Sequence, residues 1–221
     1  MSSVPSKIYL LSSSFKEGVV HLPMIEFSLV KTMIDFSQCD LLMFTSKQAV
    51  KSAELLDPDW KKKPCLAIGA ATAKEIVRLG GEVAYQSEEA YGKALSNAIY
   101  EKFSDHKILY LRPQEVSFDA KDFLAQRGIT LEEAVIYETS CIRYAKEKQP
   151  PPKSFIIFTS PSTVHCFLKN FEWDESYTAV VIGNVTGKHL PEHISYKVAD
   201  KQTIDACIEK AGEILLDSNP E

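Results

Sequence analysis

Two stretches of the sequence set hydroxyl groups at matched places. Phe44-Thr45-Ser46-x-x-x-Val50 recurs as Phe158-Thr159-Ser160-x-x-x-Val164. Ile68-Gly69-x-x-Thr72-x-Lys74 recurs as Ile182-Gly183-x-x-Thr186-x-Lys188. A single offset of 114 residues relates all eight identities. Each motif follows a short apolar run and precedes a helical pattern. There a serine or threonine meets the free N–H groups and partial positive charge of a helix's first turn. Such turns hold carboxylates or phosphates when they face a ligand. Taken singly, each hydroxyl is only a helix cap. Four matched motifs in two copies favour the binding role.

The elements that position these motifs are legible from pattern. Leu41-Leu42-Met43-Phe44 and Phe155-Ile156-Ile157-Phe158 suit strands buried on both faces of a parallel sheet. Ser46 and Ser160 read as N-caps, and Pro161 fits a first helical position. Cys65–Ile68 and Ala179–Ile182 read as strands, Gly69 and Gly183 as turns, and the residues from about Ala71 and Asn184 onward as helices. Ile108–Leu111 reads as a further strand, and Phe118–Gln126 as a helix stopping at Gly128. Alternating strands and helices predict an α/β fold of two similar domains, with mainly parallel sheets flanked by helices and a cleft between the domains. A repeat of this length is a copied domain rather than a solenoid unit.

Domain boundaries follow from the linkers. Lys146-Glu147-Lys148-Gln149-Pro150-Pro151-Pro152-Lys153 is charged and proline-rich, so the second unit starts near residue 153. Lys7–Ser12 is a good strand that the simplest arrangement adds to the C-terminal unit. One domain then comprises 1–21 with 143–221, and the other is an insertion over 29–133. Residues 22–28 and 134–142 are the two linker strands between them. Tyr137, in Val135-Ile136-Tyr137-Glu138-Thr139, falls in the return linker. Its hydroxyl reaches the cleft, or its ring simply packs.

Bulk properties exclude several classes. The chain is 45% apolar and 25% charged, as in ordinary globular proteins. No apolar run approaches the roughly 18 residues of a membrane span, and the N-terminus lacks a signal-peptide pattern. A net charge of −5 speaks against nucleic acid and means that local groups must hold any anionic ligand. Gly69-Ala70-Ala71-Thr72 has neither the spacing nor the lysine of a phosphate-binding loop. His189 and His193 are separated by Pro191, so they do not share a helix face suited to a metal. Lys61-Lys62-Lys63 reads as a solvated loop, and no Ser-His-Asp set is evident. The five cysteines, at 39, 65, 141, 166 and 207, are odd in number and scattered. They are expected to be reduced, mostly buried thiols in a cytoplasmic protein.

The ordered set Phe44-Thr45-Ser46, Ile68-Gly69-Ala70-Ala71-Thr72-Ala73, Val135-Ile136-Tyr137-Glu138-Thr139, Phe158-Thr159-Ser160-Pro161-Ser162 and Ile182-Gly183-Asn184-Val185-Thr186 resembles the uroporphyrinogen-III synthase family over about residues 19–215. The resemblance implies two α/β domains joined by a two-stranded linker. It implies cyclisation of hydroxymethylbilane to uroporphyrinogen III, with loss of water, inversion of the last pyrrole ring, and no metal or organic cofactor. Tyr137 matches the family's tyrosine, the candidate to assist departure of the hydroxyl. Thr72 and Thr186 match its cleft threonines, and Ser46 and Ser160 its strand-end serines. Backbone N–H groups of Gly69, Ala70, Ala71, Asn184 and Val185 are the expected holders of the substrate's eight carboxylates. A monomer is expected, with transient contact to the preceding pathway enzyme.

The sequence departs from that family in three places. Too few residues separate Ile8–Leu11 from Val19 for the usual helix, which leaves one face of the C-terminal domain less covered and open to a partner. Lys47-Gln48 stands where Pro-Arg is often seen. Leu111-Arg112-Pro113 stands where many members have Arg-Gly, so Arg112 either binds a carboxylate or pairs on the surface. Two rival readings remain. One is a non-catalytic two-lobed module for an anionic small molecule, and the other is a degenerate interaction domain.

Overall fold

The computed structural model describes residues 7–30, 33–89 and 92–217. The outer ends of the expected first domain, 1–6 and 218–221, lie outside the described residues, as do 31–32 and 90–91 of the expected insertion. In chain order the strands are β1 (Ile8–Leu10), β2 (Val20–His21), β3 (Ile25–Leu29), β4 (Leu41–Phe44), β5 (Cys65–Ile68), β6 (Val83–Ser87), β7 (Ile108–Pro113), β8 (Leu131–Cys141), β9 (Phe155–Phe158), β10 (Thr178–Val181) and β11 (Tyr196–Val198). The α-helices are α1 (Lys47–Leu56), α2 (Gly69–Arg78), α3 (Gly92–Lys102), α4 (Ala120–Ala125), α5 (Pro161–Asn170), α6 (Asn184–Gly187) and α7 (Ile204–Asp217). The expected α/β class, with mainly parallel sheets flanked by helices, is what the chain forms.

Contacts divide the chain into two compact units. Unit 1 combines the segment through Glu26 with the segment from Ser140 onward, and unit 2 is Phe27–Thr139. The sheet of unit 1 has the order β11-β10-β9-β1-β2, with every pairing parallel. Ile8 stands opposite Phe155, so the first strand of the chain is wedged beside a strand from its last third. Successive side chains of a strand point to opposite faces, and the core divides accordingly. Tyr9, Leu11, Ile156 and Phe158 pack with Val164 and Phe167 of α5. Leu10, Phe155, Ile157 and Val180 pack with Ala206, Cys207 and Ala211 of α7.

The sheet of unit 2 has the order β3-β8-β7-β4-β5-β6. The pairings of β8 with β7, β7 with β4, β4 with β5 and β5 with β6 are parallel. Leu42 and Phe44 face Val50, Ala53 and Ile76 of α1 and α2, whereas Met43 and Tyr110 face Leu95, Ile99 and Leu124 of α3 and α4. Burying both faces explains why β4 reads as a continuous apolar run.

The connection from β1 to β2 runs from Leu11 to Val19 without a helix, as counting residues had indicated. It is shorter than the roughly dozen residues of an ordinary parallel crossover. Gly18, at φ 79, makes the turn that an L side chain would resist. His21 Nε2 lies 2.8 Å from the carbonyl oxygen of Ser12, and Lys16 pairs with Asp205 at 2.6 Å. The two sides of the sheet are packed by α5 and α7. The large apolar side chains exposed at this edge are Phe15 and Val20.

Two further expectations need correction. Cys141 and Cys166 form a disulfide, with Cα atoms 5.2 Å apart. They lie 25 residues apart on different elements, and only the packing of α5 against the end of β8 brings them together. Cys39, Cys65 and Cys207 are free and buried, as expected of thiols. Second, α6 is a single turn where its counterpart α2 spans Gly69–Arg78. Pro191 disfavours helical backbone just before it, and the ring of Tyr196 lies against Gly187, where a Cβ would come within 2.4 Å of it.

Candidate functional site

In unit 2 the nominated residues lie at the carboxyl ends of β4, β5 and β7, with Tyr137 midway along β8 opposite Pro113. Ser46 ends the β4 segment with extended backbone, and its Oγ accepts from the N–H of Ala49 at 3.0 Å. The same Oγ lies 3.0 Å from the hydroxyl oxygen of Tyr137. The Tyr137 ring packs edge-on to Phe27 at 5.8 Å and is 4% exposed. The ring packs in the core, and the hydroxyl sits at the strand-end serine.

A register break aims that hydroxyl. Arg112 stands opposite Val135, but Pro113 stands opposite Tyr137, so Ile136 is an extra residue on β8. A proline has no N–H to give to a ladder. Bulges re-aim side chains, and here Ile136 and Tyr137, although consecutive, both pack in the cluster with Phe44 and Val50. Burial raises the Tyr137 pKa above its ordinary value, against a smaller lowering by the bond to Ser46. The phenol therefore keeps its proton at neutral pH.

Beside Ser46, Thr45 Oγ1 lies 2.7 Å from the hydroxyl of Tyr110 on β7. Tyr110 is 3% exposed, and its pKa is pushed up to about 12, chiefly by burial. The sequence offered Thr45 through the repeated motif but gave no signal for Tyr110. Arg112 is committed locally. Its Nε lies 3.2 Å from Glu133 Oε1 without a hydrogen-bonding angle, and its terminal nitrogen donates to the carbonyls of Pro113 and Gln114. A ligand carboxylate would reach it by displacing Glu133, a neighbour that the sequence did not flag.

The Gly-x-x-Thr turn of unit 2 opens α2. Gly69 has φ 65, a left-handed conformation that glycine adopts without penalty. No side chain caps this helix, so first-turn N–H groups of Gly69, Ala70 and Ala71 lack the partner that Ser46 gives α1. Ala70 and Ala71 are exposed, whereas Thr72 is buried.

Unit 1 repeats the plan with differences. Ser160 caps α5 in a capping box: its Oγ accepts from Thr163 N, and Thr163 Oγ1 accepts from the N–H groups of Thr159 and Ser160. Gly183 is extended, at φ −177, and α6 also lacks a side-chain cap. Asn184 and Val185 are exposed, and Thr186 is buried. The helix-end charge at α6 is smaller than expected, because one turn aligns few peptide dipoles.

A cavity of about 1080 Å³ opens at the opposite end of unit 2, among Asp35, Cys39, His106, Lys107 and Thr130. It holds none of the nominated residues and lies at the amino ends of β7 and β8, whereas ligands of open α/β sheets bind beyond the carboxyl ends. Among the described residues, no group of three His, Cys, Asp or Glu could hold a metal ion, and no helix is long and apolar enough to cross a membrane.

Fold and strand ends together define a class: α/β proteins of two units, one inserted in the sequence of the other, with Thr-Ser and Gly-x-x-Thr turns ending parallel strands. Residues 13–209 match the family described as uroporphyrinogen-III synthase HemD, and the chain belongs to that family. A porphyrin biosynthesis protein HemD of Ruminiclostridium josui is 31% identical over 156 residues, which cover 66% of this chain. The matched part is 31% of that relative's length. The crystal structure of uroporphyrinogen-III synthetase from Helicobacter pylori 26695 is 29% identical, with a TM-score of 0.81 over 95% of this chain and 99% of that one. A mutant uroporphyrinogen III synthase of the extremely thermophilic bacterium Thermus thermophilus shares the fold at 13% identity and a TM-score of 0.60, over 97% of this chain and all of that one.

Proposed function

We propose that the chain cyclises hydroxymethylbilane to uroporphyrinogen III, releasing water and inverting the last pyrrole ring. The observation that carries this reading is the Tyr137 hydroxyl held 3.0 Å from Ser46 Oγ, in a chain of this family. A serine hydroxyl has one proton to give and two acceptor sites. Ser46 spends one acceptor site on Ala49 N–H. If it donates to Tyr137, the phenolic proton is left free for the substrate.

The chemistry asks little of the protein beyond that. The pyrrole nitrogen pushes out the bilane hydroxyl, which takes the Tyr137 proton and leaves as water. The azafulvene that results is attacked by the substituted carbon of the last ring, giving a spiro intermediate. This fragments and recloses, and the ring then loses the proton that restores the phenol. Left alone, the bilane closes without inversion to the type I isomer. Favouring inversion a hundredfold takes about 3 kcal/mol of barrier difference, within what orientation supplies. In this reading the N–H groups of Gly69, Ala70, Ala71, Asn184 and Val185 hold acetates and propionates, together with the hydroxyls of Thr72, Ser160 and Thr186. Arg112 joins them by exchanging Glu133 for a substrate carboxylate. A cytoplasmic monomer, working without metal or organic cofactor and receiving its substrate from the preceding pathway enzyme, belongs to the same reading.

The rival is a module that binds an anionic small molecule without catalysis. Its helix starts would look the same, but it would have no use for a phenol beside Ser46. Supplying hydroxymethylbilane and measuring the ratio of type III to type I product decides between them. A ratio above the spontaneous one supports the synthase, and an unchanged ratio overturns it.

A further inference from the structure

The Thr-Ser dipeptide is held differently in the two units. In unit 1 the support is local. Thr163, one turn into α5, accepts from the N–H groups of both Thr159 and Ser160, each at 3.2 Å. In unit 2 the position 114 residues earlier is Ala49, which has no hydroxyl, so this device is absent. Two tyrosines from neighbouring strands stand in its place. Tyr137 on β8 meets Ser46, and Tyr110 on β7 meets Thr45. Thr45 and Tyr110 are 65 residues apart in sequence, and their contact depends on the β4–β7 register that sets Met43 opposite Tyr110.

A buried phenol needs a hydrogen-bond partner. The ring of Tyr110 fills the core beside Leu95 and Leu124, a task phenylalanine would perform as well. Only the hydroxyl is specific, and it reaches the residue next to Ser46. We propose that Tyr110 is a positioning residue: its hydroxyl fixes Thr45 and, through the backbone they share, the Ser46 hydroxyl that meets Tyr137. As it bears on turnover, this inference rests on the synthase reading above.

The test uses the full chain with Tyr110→Phe, Thr45→Val and the double variant. With hydroxymethylbilane, Tyr110→Phe is expected to lower kcat about tenfold, about 1.4 kcal/mol of barrier, with KM within twofold and a reduced share of type III product. Thr45→Val should reproduce this, and the double variant should be no worse than either single one, because one interaction is removed in each case. Wild-type kcat, KM and isomer ratio in Tyr110→Phe, or additive losses in the double variant, overturn the proposal while the synthase reading stands. A wild-type protein that gives only the spontaneous ratio overturns that reading instead. A second readout needs no substrate: the Tyr137 Cζ resonance in tyrosine-labelled protein, assigned through Tyr137→Phe. Thr45→Val and Tyr110→Phe should shift it alike, and an unmoved resonance sinks the positioning role.

Discussion

Tyr137 and Ser46, 91 residues apart in sequence, bring their hydroxyl oxygens to 3.0 Å at the carboxyl end of the unit 2 sheet. The serine is also the N-cap of α1. One side chain therefore supports a helix and orients a phenol, and the two duties separate under mutation.

Tyr137→Phe keeps the ring against Phe27 and removes only the proton donor. A general acid contributes about 10²–10⁴-fold. Because the bilane hydroxyl departs readily, the expected loss in kcat is at the low end, about a hundredfold, with KM changed less than threefold. Steady-state kinetics on hydroxymethylbilane check this, and unchanged turnover would refute the role.

Ser46→Ala and Ser160→Ala each remove an N-cap, so each should cost about 1 kcal/mol of stability in urea unfolding. Turnover should separate them. Only Ser46 touches Tyr137, so its replacement should reduce kcat, whereas Ser160→Ala should act mainly through KM. Equal kinetic profiles for the two variants would count against the assignment.

Stability should decline in alkali over a defined window. Burial pushes the Cys65 thiol up to about 12, Cys207 up to about 11 and the Tyr110 phenol up to about 12, against ordinary values of 9.0 for cysteine and 10.0 for tyrosine. These are raised pKa values, so the folded chain keeps protons that the unfolded chain has released. Unfolding then releases protons and is favoured as pH rises. The stability these groups contribute is fully present below pH 9.0 and is lost as pH rises through about 11 to 12. Urea midpoints measured from about pH 8 to about pH 10.5 should be level at first and then fall. Cys65→Ala with Cys207→Ala should shrink the fall between pH 9.0 and 10.0 to the share of Cys39, whose thiol burial also raises, before Tyr110 begins to contribute.

The Cys141–Cys166 disulfide closes a loop of 25 residues, and a closure of that size contributes about 3 kcal/mol. Dithiothreitol should lower the Tm of the wild-type protein and leave that of Cys166→Ser unchanged. Unfolded without reductant, the protein should show three reactive thiols, those of Cys39, Cys65 and Cys207. Five would show that the bond is absent.

What the sequence disclosed was local. Phe44-Thr45-Ser46 and Phe158-Thr159-Ser160 announce strand, cap and helix within a few residues, and each formed as read. The missing crossover helix needed only a count of residues. The shortness of α6 has a visible cause in Pro191, which disfavours helical backbone just before it. Contacts across strands and between elements were a different matter. Tyr110 meets Thr45 only through strand register, and Cys141 meets Cys166 only through packing of α5. Pro113 departs from the family pattern, but its effect on Tyr137 depends on which residue of β8 it opposes. No pattern within one segment encodes such a partner.

The pairing of β1 with β9 has a temporal consequence. Phe27–Thr139 is contiguous and can fold as soon as it leaves the ribosome. Strand β1 cannot complete its pairing so early: Ile8 must wait for Phe155. At synthesis rates of about 5–20 residues per second, that wait lasts on the order of ten seconds. Throughout it β1 has only β2 as a partner, and its other edge stays open. Strand β1 is thus completed only when β9 has been made, and chaperone demand should be concentrated in that interval.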